Sequence, residues 1–230
     1  MLDSHRNIAL ACTLSALAGY VDGIGFIHLG GLFISFMSGN STRMGVSLAQ
    51  GHWSNAAEAI GLILLFVTGA AFGSLIVLGG DARRQPWVLL AEALLLAHAG
   101  LCHELGFSGA AIVAMVLAMG LENAVFQIGG GGGLGLTYIT GALVKAGQLM
   151  AAALTGGERW GWVPNVLLWA ALVAGAVCGA SVYHWINLAA IWFAAAFAQA
   201  LSGIVAATAI DSESGLPDGK NDDGDAAGVR

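Results

Sequence analysis

Two polar interruptions, one in each half of a very apolar chain, constrain the fold more than any other feature. The first lies in residues 33–48, FISFMSGNSTRMGVSL, where Ser38, Gly39, Asn40, Ser41 and Thr42, then the charge of Arg43, break an apolar run. The second lies in residues 136–150, LTYITGALVKAGQLM, where Thr140 and Gly141 fall on Ser38 and Gly39, and Lys145 falls on Arg43, without a gap. A soluble core helix does not bury such a cluster, and a lipid-facing span does not carry it. Matched, polar-broken segments in two halves point to a membrane transport or channel site.

Composition sets the class. Of 230 residues 57% are hydrophobic and 10% charged, with a mean hydropathy of +0.79, whereas soluble domains carry about 25% charged residues. The chain reads as an integral membrane protein whose first partner is the lipid bilayer. The net charge of −6 is largely local, because the last twenty residues hold six of the fourteen acids and two of the eight bases. No basic face is present for nucleic acid. Cys12, Cys102 and Cys178 form no CxxC pair and the six histidines are scattered, so neither a disulfide framework nor a metal site is expected. The glycine run at 129–133 lacks the Lys-Ser/Thr of a phosphate loop, and no dinucleotide fingerprint occurs, so no cofactor is expected.

Each half reads as span, broken element, span, span. Residues 1–7 are a polar start, 8–105 a first membrane repeat, 106–210 a second, and 211–230 an acidic tail too poor in apolar surface to order itself. Arg6, the apolar run after it and Ala16-Leu17-Ala18 imitate a signal peptide. However, the Gly19-Tyr20-Val21-Asp22 series recurs as Gly120-Leu121-Glu122-Asn123, which makes the first segment part of the fold. Gly30-Gly31 in the first half is replaced by residues 129–133 in the second.

Whether the broken elements cross the bilayer sets the topology. If both cross, eight spans place Arg6 and Arg83-Arg84 on opposite sides. If both re-enter, six spans place Arg6, Arg83, Arg84 and Arg159 on one side, which the positive-inside rule makes cytoplasmic together with both termini. About eighteen residues at 1.5 Å each could just span, but the six-span arrangement accounts for every loop arginine. Three spans per half then orient the repeats oppositely in the bilayer.

Arg43 and Lys145 are candidate substrate ligands, since a cation at membrane depth costs about 2.5–3.5 kcal/mol or more and needs water, a counter-ion or a bound anion. The alternatives are snorkelling and a purely structural ion pair. Residues 38–42 offer hydroxyls, an amide and unwound backbone, with helix N–H groups aimed inward; Thr140 and Gly141, with Thr137, offer a thinner version. A kinked ordinary helix with Gly39 as a packing residue is the alternative. Asp22, and Glu122 with Asn123, could neutralise the cations or carry a coupling proton. Glu58 and Glu92, near the starts of their spans, read as snorkelling. Gly69–Gly73 and Gly175–Gly179 recur at four-residue spacing and suit close helix contact. No hydrolase, glycosidase or haem signature occurs, and an intramembrane enzyme using Asp22 and Glu122 is the outlying reading.

The series Ala18-Gly19-Tyr20-Val21-Asp22, Gly30-Gly31-Leu32-Phe33 and Phe36-Met37-Ser38-Gly39-Asn40-Ser41-Thr42-Arg43 resembles the YoaK family of bacterial inner-membrane proteins over residues 5–210. The resemblance implies a six-span inner-membrane protein, and it transfers no substrate or catalytic residue to any position. The second half departs from the SGNSTR wording. The sequence therefore predicts an all-α integral membrane protein: six transmembrane helices in two inverted three-span repeats, each with a re-entrant or broken helix. Its expected role is a small-solute transporter or channel, biased towards anions and carboxylates, with proton coupling through Asp22 or Glu122. A homodimer suits so small a chain. A non-transporting membrane partner or assembly subunit is the competing reading.

Overall fold

The computed structural model describes residues 5–78, 84–126 and 139–214, and within them all regular structure is helical. The helices are α1 (His5–His28), α2 (Met37–Ala49), α3 (Trp53–Val77), α4 (Gln85–Glu104), α5 (Ser108–Glu122), α6 (Ile139–Leu154), α7 (Val163–Ile186) and α8 (Ile191–Ser214). A 3-10 turn, Asn123–Phe126, extends α5, and another, Asn187–Ala190, joins α7 to α8. The glycine run 129–133, Thr137, loop residues 79–83 and the tail from 215 lie outside the described residues. The last helix reaches Ser214, one turn into the segment expected to be tail.

Five stretches are long and apolar enough to cross a membrane. The last, Val163–Thr208, counts 46 residues, about 70 Å as one straight helix, more than twice the hydrocarbon thickness. It contains both α7 and α8, separated at Asn187, whose φ of 54° breaks the helix. The crossing helices are thus α1, α3, α4, α5, α7 and α8. Their outward faces carry Leu64, Val67, Phe72, Leu75, Phe193 and Ile204, all exposed, as lipid rather than water requires.

Helix direction decides between six and eight crossings. The pairs Ala16/Gly175 and Tyr20/Gly179 show that α1 and α7 run parallel, and Leu117/Gly69 and Leu121/Gly73 show the same of α5 and α3. In contrast, α4 and α8 run antiparallel: the Ser202 hydroxyl donates to the Pro86 carbonyl at 3.0 Å, while Gly100 packs on Trp192. If α2 and α6 both crossed, α4 and α8 would be parallel; if only one crossed, α1 and α7 would be antiparallel. Neither therefore crosses.

The scaffold contacts recur between halves. Gly69 and Gly73 of α3 sit on the backbone of Leu117 and Leu121 in α5, while Gly175 and Gly179 of α7 sit on Ala16 and Tyr20 in α1. Gly120 meets Phe66 and Ala70, and its counterpart Gly19 meets Leu172 and Ala176. A Cβ at any of these positions would collide with main chain, so helix approach depends on their lacking one. These glycines are spent inside the chain and are not docking faces for another subunit.

The bundle holds two hydrophobic clusters, one towards each membrane surface. One joins the C-terminal part of α1 and α4 to the N-terminal part of α3, α5 and α8, including Ile24, Leu96, Met115 and Ile191. The other joins the opposite ends, with Leu14, Leu89, Val125 and Leu201. Arg84 and Arg159 both lie at the end where α1, α4 and α7 begin.

Candidate functional site

The first re-entrant hairpin begins where α1 ends. Gly30 (φ 62°) and Gly31 (φ 103°) reverse the chain through backbone conformations that a side chain would oppose. The lead then descends alongside α1. Asp22 Oδ1 accepts the backbone N–H groups of Ile34 and Ser35, each at 2.7 Å, and Oδ2 accepts the Ser35 hydroxyl at 2.7 Å. Asn40, fully buried, clamps the other side. Its Oδ1 accepts the Phe33 N–H at 2.9 Å, and its Nδ2 donates to the Phe33 carbonyl at 2.7 Å. The backbone polar groups of a non-helical segment at this depth are thereby satisfied within the protein.

The unwound segment thus differs from the one expected. It is the lead ahead of Phe36, while Ser38, Gly39, Asn40, Ser41 and Thr42 belong to the first turns of α2. Ser41 and Thr42 donate back to the Met37 and Ser38 carbonyls at 2.8 and 3.1 Å, a bond available to hydroxyls inside a helix. Gly39 lies under the rings of Phe33 and Phe36. Arg43 is exposed; its Nη2 donates to the Gly30 carbonyl at 3.3 Å, and its guanidinium covers Gly31. It braces the turn and does not face the bundle interior.

In the second half, α6 packs on α7. Lys145 is exposed on α6. Asn123 stands where the first half has Asp22, but its Nδ2 donates to the Met119 carbonyl of its own helix at 2.9 Å. Gly141 is half-buried and Thr140 exposed on the first described turn of α6.

The two hairpins do meet. A cavity of about 600 Å³ is lined by Phe33, Ser35 and Phe36 from the first lead, Ile139, Thr140 and Leu143 from α6, Asp22 of α1 and Trp169 of α7, among others. Its walls are mostly aromatic and aliphatic, with Asp22, Ser35 and Thr140 as polar points. Of the residues proposed from sequence, Asp22 and Thr140 line it; Arg43 and Lys145 do not.

Three carboxyl groups lie in the interior. Asp22 is hydrogen-bonded as above. Glu92 of α4 is 0% exposed and Glu122 of α5 is 1% exposed. Among the described residues both Glu92 oxygens and Glu122 Oε1 have no hydrogen-bond partner, and Glu122 is within electrostatic reach of Glu92 and Asp22. Among the described residues no lysine or arginine pairs with any of them. The snorkelling expected for Glu92 is overturned, because α4 starts at Gln85 and so places Glu92 about 10 Å inside its helix, on the face towards the bundle. Glu58 is exposed near the start of α3, as its position suggested. Depth counted from the true helix start was the available signal for Glu92. Among the described residues no three histidine, cysteine or acidic side chains are placed to hold a metal ion.

Comparisons with known proteins find relatives named as transmembrane proteins. Residues 10–204 match the family described as "Protein of unknown function (DUF1275)". The "UPF0700 transmembrane protein RA0705" of Rhizobium meliloti (strain 1021) is 35% identical over 189 residues, covering 82% of this chain and 81% of the relative. The "UPF0700 transmembrane protein YoaK" of Bacillus subtilis (strain 168) is 28% identical over 151 residues, covering 62% of this chain and 66% of the relative. No solved structure matches the chain.

Proposed function

The chain belongs to the DUF1275 family of UPF0700 transmembrane proteins, and we propose that it is a small-solute transporter or channel whose path runs through the cavity between its two re-entrant hairpins. The observation that carries this reading is the convergence of Phe33, Ser35 and Phe36 with Ile139, Thr140 and Leu143 on one cavity of about 600 Å³, within the 300–1,000 Å³ usual for small-ligand sites. Non-helical backbone at membrane depth is costly and is kept where it lines a path or is packed in protein. Its two repeats sit inverted in a bacterial inner membrane, with Arg84 and Arg159, and Arg6 before them, at the cytoplasmic surface.

The solute we propose is small, largely apolar, and neutral or cationic. An anionic solute was suggested by Arg43 and Lys145 at the midplane, yet neither lines the cavity, and the charged side chain that does is Asp22. Asp22 is moreover committed to the lead of α2, which leaves a coupling proton to Glu122 and its neighbour Glu92. The competing assembly-subunit reading loses its main support, because Gly69 and Gly175 are covered within the chain.

Uptake into proteoliposomes against a panel of neutral, cationic and anionic solutes tests the reading. One neutral or cationic class should accumulate when a proton gradient is imposed, and Leu143→Trp, which fills the cavity, should abolish uptake while the protein stays folded. The same solute at about 100 times its dissociation constant should stabilise the purified protein by roughly 2.7 kcal/mol. Absence of both flux and thermal shift for every class sinks the transport reading.

A further inference from the structure

The mid-level of the bundle, where its two hydrophobic clusters meet, is polar. On α4, Glu92 lies between Leu89 of one cluster and Ala93 of the other; on α5, Glu122 follows Met119 of one and Leu121 of the other. Ser15 of α1 sits at the same level, between Leu14 and Leu17, fully buried and with its hydroxyl unpartnered. Among the described residues four buried oxygens therefore have no partner: both of Glu92, Oε1 of Glu122 and Oγ of Ser15. Native interiors rarely leave such atoms unsatisfied, and each one asks for an explanation.

The surroundings narrow the explanation. Among the described residues the charges that reach Glu122 are those of Glu92 on α4 and Asp22 on α1. Helix α3 carries Glu58 alone among ionisable residues, exposed near its N-terminus, and the described side chains of α8 include none. Helix α7 contributes Cys178, Tyr183 and His184, all towards the opposite end. Two ionised carboxylates buried within electrostatic reach of one another, with no cation among the described residues beside them, would cost far more than any hydrogen bond there returns. Asp22 has backbone and hydroxyl donors on both oxygens, whereas Glu92 has none, so the missing hydrogen belongs to the glutamates. A shared proton supplies a donor where only acceptors exist.

We infer that Glu92 and Glu122 hold one proton between them at the centre of the bundle, as the ion-carrying element of the protein. The role in coupling rests on the transport reading; the proton itself does not. Loading adds one hydrogen ion to the glutamate pair, bridging an oxygen of each, and release returns it without breaking any other bond.

Infrared spectra of the purified protein across pH, in H2O and D2O, read the proton without any solute. The wild type should show, at neutral pH, a protonated-carboxyl carbonyl band that shifts in D2O and disappears when the pH is raised. The band should be lost in the E92Q/E122Q double variant, with circular dichroism showing the fold retained. Should the double variant not fold, the single variants Glu92→Gln and Glu122→Gln carry the test, each altering the position of the band. A wild type without the band at neutral pH, or a double variant that keeps it, overturns the inference. A sodium-dependent rise in melting temperature that Glu92→Gln removes, without any carboxyl band, would assign a metal cation in place of the proton. If the band behaves as expected but no solute is carried, the proton stands and the transport reading falls. Flux that is indifferent to Glu122→Gln, with the band present, overturns the ion-carrying role.

Discussion

The first re-entrant hairpin and the described part of the second reach one cavity through different residues. In the first, Asp22 and Asn40 together make five hydrogen bonds to the lead and its serine. In the second, Asn123 turns its amide back to Met119, and α6 presents Thr140 to the cavity with no acid in its first turn. Meanwhile the crossing helices repeat their glycine contacts almost residue for residue. The scaffold is symmetric where backbone meets backbone and asymmetric where side chains reach the cavity. The first hairpin is fastened by Asp22 and Asn40, and the described part of the second brings Thr140 and Leu143 to the same cavity.

The largest effect should come from the shared scaffold. Gly175→Leu and its counterpart Gly69→Leu both force a side chain into main chain, beyond the 1–3 kcal/mol of ordinary overpacking, and each should abolish folded protein in size-exclusion profiles. Gly203→Leu, at a position with open space around it, should be recovered at wild-type level. Equal losses at all three positions would break the symmetric-scaffold half of the comparison.

Next comes the fastening itself. Asp22→Ala removes the acceptor of three hydrogen bonds and should cost about 3 kcal/mol. Asn123→Ala removes one bond to a helix carbonyl and should cost about 1 kcal/mol. Thermal melts in one detergent measure both, and equal costs would mean that the hairpins are fastened alike. Asn40→Ala, which frees the Phe33 N–H and carbonyl, should cost about 2 kcal/mol, whereas Thr140→Ala should change stability by about 0.5 kcal/mol or less and show itself in solute uptake. The smallest effects belong to Arg43→Gln and Lys145→Gln, both at exposed side chains; each should shift stability by about 0.5 kcal/mol or less. Loss of solute binding in Lys145→Gln would return that cation to the site.

Topology offers an independent check. A thiol reagent kept outside the cell should label cysteine introduced at His52 or Glu104 and spare one at Arg84. Labelling at position 84 would invert the assignment of sides.

Much of the architecture was legible in the residues. Span positions followed from apolar length, and the loop arginines already favoured six crossings over eight, a choice that the antiparallel α4–α8 pair then made independently. The polar-broken segments marked the hairpins, although the break was placed on residues 38–42 when it lies in the lead before them. That error has a simple source: serine, asparagine and threonine are poor helix formers in isolation, but here they bond backward along α2 or clamp Phe33 and so remain helical. Glu92 was misplaced because its helix begins earlier than the apolar run suggested. Arg43 was credited with a ligand's position because sequence gives the residue's register but not the face it occupies.

The sequence by itself determined the class, the approximate span positions and the two polar-broken segments, because hydrophobic length and charge at span ends act segment by segment against the bilayer. Tertiary structure alone decided that Asp22 fastens one hairpin, that Arg43 and Lys145 stay outside the cavity, and that Glu92 and Glu122 are both buried within the bundle. Those are relations between helices, set by which faces the glycine contacts bring together, and no single segment carries that information.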